Sequence, residues 1–199
     1  MSRLFRPGVF LLCLVPLLWM VADGLTDGLG ANPIETITRR TGDWTLRLLL
    51  ITLSATPARW LFGWSWPLRL RRMLGLYAFF YACLHFLTYL VLDQFFDWGE
   101  IAADILKRPY ITIGFAAFVM LIPLALTSSR AMMRRLGRRW SQLHQLVYVV
   151  ATAGVFHYLW LVKADTRLPL LYAFILLLLL GARVWHQRVG LPVRSSVSP

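Results

Sequence analysis

Apolar residues along this chain fall into blocks of about twenty, separated by short turns rich in Arg at some boundaries and in Asp or Glu at others. Blocks of that length predict helices that cross a bilayer. Six are expected, over residues 8–25, 44–62, 72–92, 109–127, 141–162 and 168–187. The predicted fold class is an all-α membrane protein, a six-transmembrane-helix bundle. The second block is the weakest. Arg47 lies inside it, and the Thr56-Pro57 step leaves a clean apolar stretch only over residues 48–55. That is too short to span alone, so a tilted or interfacial helix is the other reading of it.

The bundle is expected to occupy residues 1–190, with 191–199 as a disordered cytoplasmic tail. The longest loops, 26–43 and 93–108, are each under 20 residues, which leaves no soluble domain. The N-terminal stretch MSRLFRPGVFLLCLVPLLWMVADGL pairs two Arg with an apolar core, as signal peptides do. It lacks a convincing small-x-small cleavage site, more spans follow it, and it is expected to be an uncleaved first helix.

Charge sets the expected orientation. With the N-terminus in the cytoplasm, 14 of the 21 basic residues fall on cytoplasmic segments, five of them in the run Arg130, Arg134, Arg135, Arg138 and Arg139. Six fall on outer loops, and Arg47 near the outer end of the second block. The positive-inside rule then predicts cytoplasmic N- and C-termini for a multi-pass protein in contact with membrane lipid. A net charge of +12 could suggest nucleic acid, but the basic residues cluster in the turns between spans, and no nucleic-acid partner is expected. Hydrophobic residues make up 58% of the chain and charged ones 15%. Cys13 and Cys83 both lie inside predicted spans and read as small apolar residues. CxxCH, GxGxxG, P-loop and HExxH motifs are absent, which excludes covalent c-type haem attachment and a nucleotide-binding domain.

The chemistry rests on four histidines, His85, His144, His157 and His186. An ionisable group inside a span is costly and points to function, and imidazole is a common haem-iron ligand. His85 precedes Asp93 by eight residues and His157 precedes Lys163 by six, so on antiparallel-connected spans both lie roughly 9–12 Å below one charged boundary. Two imidazoles at matched depth on separate helices form the best candidate pair for the axial positions of haem b iron. His144 is a second or alternative ligand, and His186, at a comparable level, is its weak partner. His144 and His157 are 13 residues apart, about 20 Å of rise but roughly 140° from one face, so either the helix is locally irregular, with Gly154 as a candidate, or the two serve different neighbours. The competing account of each histidine is structural: hydrogen bonding across helices for His85 and His157, an interfacial place beside the Arg run for His144, an exposed tail for His186.

The segments RRMLGLYAFFYACLH (71–85), RPYITIG (108–114), LGRRWSQLHQLVY (136–148) and HYLW (157–160) resemble the haem-binding membrane subunits of bacterial periplasmic methionine sulfoxide reductase systems. These belong to the ferric-reductase-like transmembrane family, related to the membrane half of NADPH oxidases. The resemblance implies a six-helix bundle binding haem b (one haem, or two) and FMN. It implies electron transfer from quinol or a cytoplasmic flavin reductase to a periplasmic molybdenum-containing methionine sulfoxide reductase subunit, which carries the terminal reaction. The histidines matching the family pattern are His85, His144 and His157. The second histidine that the oxidase relatives carry on the third span is missing, and so are their flavin and nicotinamide domains. Two other readings of the residues stay open: a stand-alone ferric or metal reductase, and a haem-free transporter. The lack of Asp or Glu in mid-span argues against the transporter.

Overall fold

A computed structural model describes residues 5–189 and is helical throughout, with no strand among the described residues. The expected tail at 191–199, together with Arg3 and Arg194, lies outside the described residues. The helices are α1 (Phe5–Leu25), α2 (Pro33–Phe62), α3 (Trp66–Leu87), α4 (Trp98–Lys107), α5 (Pro109–Leu126), α6 (Arg130–Leu136), α7 (Arg138–His144), α8 (Leu146–Leu161) and α9 (Arg167–Val189). A wider π turn, Thr88–Asp93, continues α3.

Local sequence explains the boundaries. Asn32 caps α2 by accepting from the Glu35 amide, Pro33 opens the helix where no donor is needed, and Glu35 faces the positive helix start. Gly63 closes α2 in the left-handed conformation that glycine adopts freely. Pro109 opens α5 and holds Arg108 extended. Gly137 separates α6 from α7.

Three sequence expectations are corrected. Residues 33–43, read as part of an outer loop, are the first turns of α2. The loop 93–108 contains α4, an amphipathic helix that buries Ile101 and Asp104 and exposes Trp98 and Leu106. The irregularity between His144 and His157 lies at Gln145, where α7 ends and the amide of Tyr148 bonds back only three residues. Gly154 is regular helix. It is small because Leu46 of α2 packs there: a Cβ would come within 2.9 Å of Leu46 Cδ2.

Four helices are long and apolar enough to cross a membrane by themselves: α1, α3 with its π continuation (Trp66–Asp93), α5 and α9. α8 has 16 residues, and α2 carries Arg39, Arg40, Asp43 and Arg47 before its apolar centre. Both are nonetheless packed into the bundle. Leu48, Leu49, Leu50, Leu53 and Ala55 of α2 are buried, as are Val147, Val150, Ala151 and Val155 of α8.

Side-chain pairings give the directions. Tyr77 and Tyr81 of α3 donate to the carbonyls of Phe10 and Cys13, so α3 runs with α1. Gly42 meets His85 while Thr52 meets Gly75, so α2 runs against α3. Phe118 and Phe115 of α5 pack on Phe79 and Phe86 in reverse order. Thr127 reaches His144 and Tyr110 reaches His157, which sets α7 and α8 against α5. Tyr172 pairs with Arg47 and Arg183 with Leu53, so α9 runs with α2. The six long helices α1, α2, α3, α5, α8 and α9 therefore alternate in direction. Phe5 against Trp66 and His186 against Trp60 place both described ends at the same end of the bundle.

The ends differ in charge. The four ion pairs among the described residues, Arg39–Glu35, Arg40–Asp23, Arg47–Asp43 and Arg108–Asp104, all sit at the end away from those termini. The Arg run of α6 and α7 has no carboxylate partner among the described residues.

Arg183 shows how a cation is accommodated inside the bundle. Pro57 has no amide hydrogen, so the Leu53 carbonyl four residues earlier loses its helical partner. The Arg183 guanidinium donates to that carbonyl and to Tyr148 Oη, and lies 5.0 Å above the Tyr148 ring. Replacing Arg183 by Met leaves the Leu53 carbonyl unsatisfied, a cost of about 1–3 kcal/mol. The expected outcome is a lower unfolding temperature in detergent, read by Trp fluorescence. In a Pro57→Ala background the loss should shrink, because residue 57 then supplies the missing amide donor.

Candidate functional site

His85 sits near the C-terminal end of α3 and His157 near that of α8. The bundle brings their rings side by side, with centroids 6.1 Å apart and planes at 77°. Each imidazole is held the same way by a neighbouring helix. His85 Nδ1 donates to the Thr38 carbonyl of α2 at 2.9 Å, with Thr41 Oγ1 at 3.5 Å. His157 Nδ1 donates to the Tyr110 carbonyl of α5 at 2.6 Å. A main-chain carbonyl can only accept, so both rings are the Nδ1–H tautomer, and Nε2 keeps its lone pair. Neither Nε2 has a hydrogen-bond partner among the described residues.

Glycine makes room for both rings. A Cβ on Gly42 would stand 3.1 Å from His85 Cε1, and one on Gly114 would stand 2.7 Å from His157 Nδ1. The backbones of α2 and α5 thus lie directly against the imidazoles. Both histidines line a cavity of about 290 Å³ walled by Leu46, Leu49, Phe86, Phe118 and Val150, with Arg39, Asp43, Asp93 and Arg108 towards its charged end. The π turn that begins three residues after His85 widens α3 at this cavity, as such turns often do at functional sites. Beyond it, the buried Asp104 carboxylate accepts from Tyr89 Oη at 3.2 Å and Gln94 Nε2 at 2.9 Å and pairs with Arg108 at 3.1 Å, tying α4 to the π turn. Beside Gly42, Asp43 and Arg47 form a closed set with Tyr172: Arg47 bonds Asp43 and Tyr172 at 2.8 Å each, and Tyr172 bonds Asp43 at 3.2 Å.

This set of donors would suit a metal-centred group held by both imidazoles. The Nδ1–carbonyl bonds are the outer support that fixes a ligating imidazole, and the walls are apolar. Among the described residues no cluster of three or more His, Cys, Asp or Glu could hold a bare metal ion.

The other two histidines are placed apart. His144 ends α7, with Nε2 3.1 Å from Thr127 Oγ1 and its ring stacked on Trp140 at 4.1 Å. His186 stacks on Trp60 at 4.0 Å. Aromatic rings hold each of them, and the structure does not bring the two into a pair. Cys13 and Cys83 are free thiols. The supporting set of Thr38, Gly42, Tyr110 and Gly114 was missed in the sequence. Gly114 closes the quoted segment RPYITIG, but nothing in that pattern says which ring the glycine accommodates.

These features define a helical membrane bundle with two neighbouring imidazoles lining one apolar cavity. The comparisons with known proteins place it further. The family described as ferric reductase like transmembrane component matches residues 41–155. The protein-methionine-sulfoxide reductase heme-binding subunit MsrQ of Rhodospirillum rubrum is 59% identical over 184 residues, 92% of this chain and 88% of that one. Its counterparts from Herminiimonas arsenicoxydans and Azospira oryzae are 53% and 57% identical over 93% and 96% of this chain, and 88% and 84% of theirs. The chain belongs to the ferric-reductase-like transmembrane family, in the group formed by these heme-binding subunits.

Gly114→Ala should displace His157, since its Cβ would overlap the ring, whereas Gly42→Ala demands a shift of only a few tenths of an ångström. Titration of detergent-purified protein with ferric haem, followed by absorbance, is expected to show uptake lost in Gly114→Ala and only weakened in Gly42→Ala.

Proposed function

We propose that this chain is the membrane electron-transfer subunit of a protein-methionine-sulfoxide reductase, holding haem b between His85 and His157. The observation that carries this reading is the imidazole pair: centroids 6.1 Å apart, each Nδ1 tied to a main-chain carbonyl, each Nε2 without a partner among the described residues. The names of the relatives, heme-binding subunits of such a reductase, support it.

Bound there, haem b supplies one-electron redox chemistry. His85 and His157 hold the iron through Nε2. The carbonyls of Thr38 and Tyr110 keep both rings in the ligating tautomer and raise their basicity. The apolar walls exclude water, and Arg39 and Arg108 supply positive charge at the charged end of the cavity. The proposal covers six crossings of a bacterial inner membrane with both termini in the cytoplasm, supported by the alternating helix directions and by the Arg-rich end at which the described termini lie. Electrons enter from quinol or a cytoplasmic flavin reductase. They leave at the carboxylate-rich, periplasmic end to a molybdenum-containing catalytic subunit. FMN is a second cofactor of this reading, carried by the resemblance. His144, held by Thr127 and Trp140 and facing no second imidazole, is the ligand of secondary rank, and one haem is the count this arrangement favours.

The test is a reduced-minus-oxidised spectrum with pyridine haemochrome quantification of the purified protein. Wild type is expected to hold one low-spin b-type haem per chain. His85→Ala and His157→Ala should each lose it, while His144→Ala keeps it. A colourless wild-type protein sinks the reading.

A further inference from the structure

The segment between the π turn and α4 presents bulky aromatic side chains where the backbone is strained. Phe95 and Phe96 have φ of 46° and 62°, left-handed values that a large side chain rarely adopts. Phe95 is 76% exposed and Phe96 50%. Strain of this kind persists only where the surroundings hold it, and they do here. Asp97 accepts from the amides of Gly99 and Glu100 and caps α4. Gln94 is fixed on Asp104, which Tyr89 and Arg108 also hold. Phe96 packs on Trp98 at 6.3 Å. The knuckle is therefore built rigid, with its aromatics turned outward.

Its rim is acidic. Five carboxylates at this end have no cation partner among the described residues, and three of them, Asp93, Asp97 and Glu100, flank the two phenylalanines. The apolar stripe of α4, Trp98 and Leu106, suits the membrane surface. Glu100 lies about 200° from Trp98 around the helix, on the side opposite that stripe. The same segment reaches the redox pocket, since Tyr89, Asp93, Ile105 and Arg108 line the cavity that holds His85 and His157.

We propose that Phe95 and Phe96, rimmed by Asp93, Asp97 and Glu100, form the docking site for the soluble catalytic subunit. That subunit would present an apolar pocket bordered by Lys and Arg. Rigid aromatic anchors inside a charged rim are how compact interfaces concentrate affinity, and opposite charge adds to the association rate. A protein seated on this knuckle sits against the mouth of the cavity, which shortens the exit path for electrons. The inference rests on the function proposed above.

The experiment uses the full chain in lipid nanodiscs, with biolayer interferometry against the purified soluble methionine sulfoxide reductase subunit of the same system. Phe95→Ser with Phe96→Ser is expected to weaken Kd by about tenfold or more. Asp97→Asn with Glu100→Gln, which keeps the helix cap, should slow association and flatten its salt dependence. The haem spectrum should stay as in wild type in both variants, and Phe174→Ser on an exposed face of α9 should bind normally. Wild-type binding with unchanged affinity in both variants overturns the docking site and leaves the electron-transfer reading intact. A wild-type protein that holds no haem or binds no catalytic subunit overturns both. A fluorophore on Phe95→Cys quenched by spin-labelled lipid, and unaffected by the catalytic subunit, assigns the knuckle to the bilayer and also overturns it.

Discussion

Two imidazoles set close together in an apolar interior are unstable unless each has a hydrogen-bond acceptor for Nδ1 and space for its ring. The bundle meets that demand with main-chain atoms. The carbonyls of Thr38 and Tyr110 accept the two Nδ1 hydrogens, and Gly42 and Gly114 let the backbones of α2 and α5 lie against the rings. Four helices are thereby bound to one point: α3 and α8 carry the histidines, and α2 and α5 support them. An Nδ1–H left unsatisfied would cost about 1–3 kcal/mol each, so the support determines helix positions as well as ring orientation.

α2 has a further role because it is both charged and central. Arg47 enters the bundle only as part of a closed set with Asp43 and Tyr172, which meets the cost of burying polar groups between helices. Lower down, Pro57 releases the Leu53 carbonyl, and Arg183 of α9 takes it. α2 and α9, far apart in sequence, are thus joined by polar contacts at two levels. Along the middle of α2 the leucines supply the packing.

The polarity of the bundle follows from the same economy of buried charge. Every ion pair among the described residues lies at the end to which α3 and α8 deliver their histidines. The opposite end collects arginines without carboxylates, an arrangement suited to a cytoplasmic membrane face. A redox group between His85 and His157 would therefore sit closer to the mixed-charge end, where a soluble partner has carboxylates and aromatics to read.

The chain by itself determined the membrane class, the positions of the apolar blocks, the segregation of charge, and the matched depth of His85 and His157 relative to Asp93 and Lys163. Those properties are local or follow from counting residues along a helix. The early start of α2 was also legible, in Asn32-Pro33 followed by Glu35, yet the charges of residues 35–47 made the stretch read as a loop. The angular offset of the histidines left a helix break as one of two readings and pointed to Gly154, but the break lies at Gln145, because Gly154 is small for packing on Leu46. What only the tertiary structure decided is the support of the pair. Each carbonyl lies 47 residues from the histidine that it holds. Main-chain acceptors carry no side-chain signature, and a glycine that makes room for a ring looks in sequence like any other. The separation of His144 from His186 likewise depended on which aromatic each one met, and helix packing alone set that.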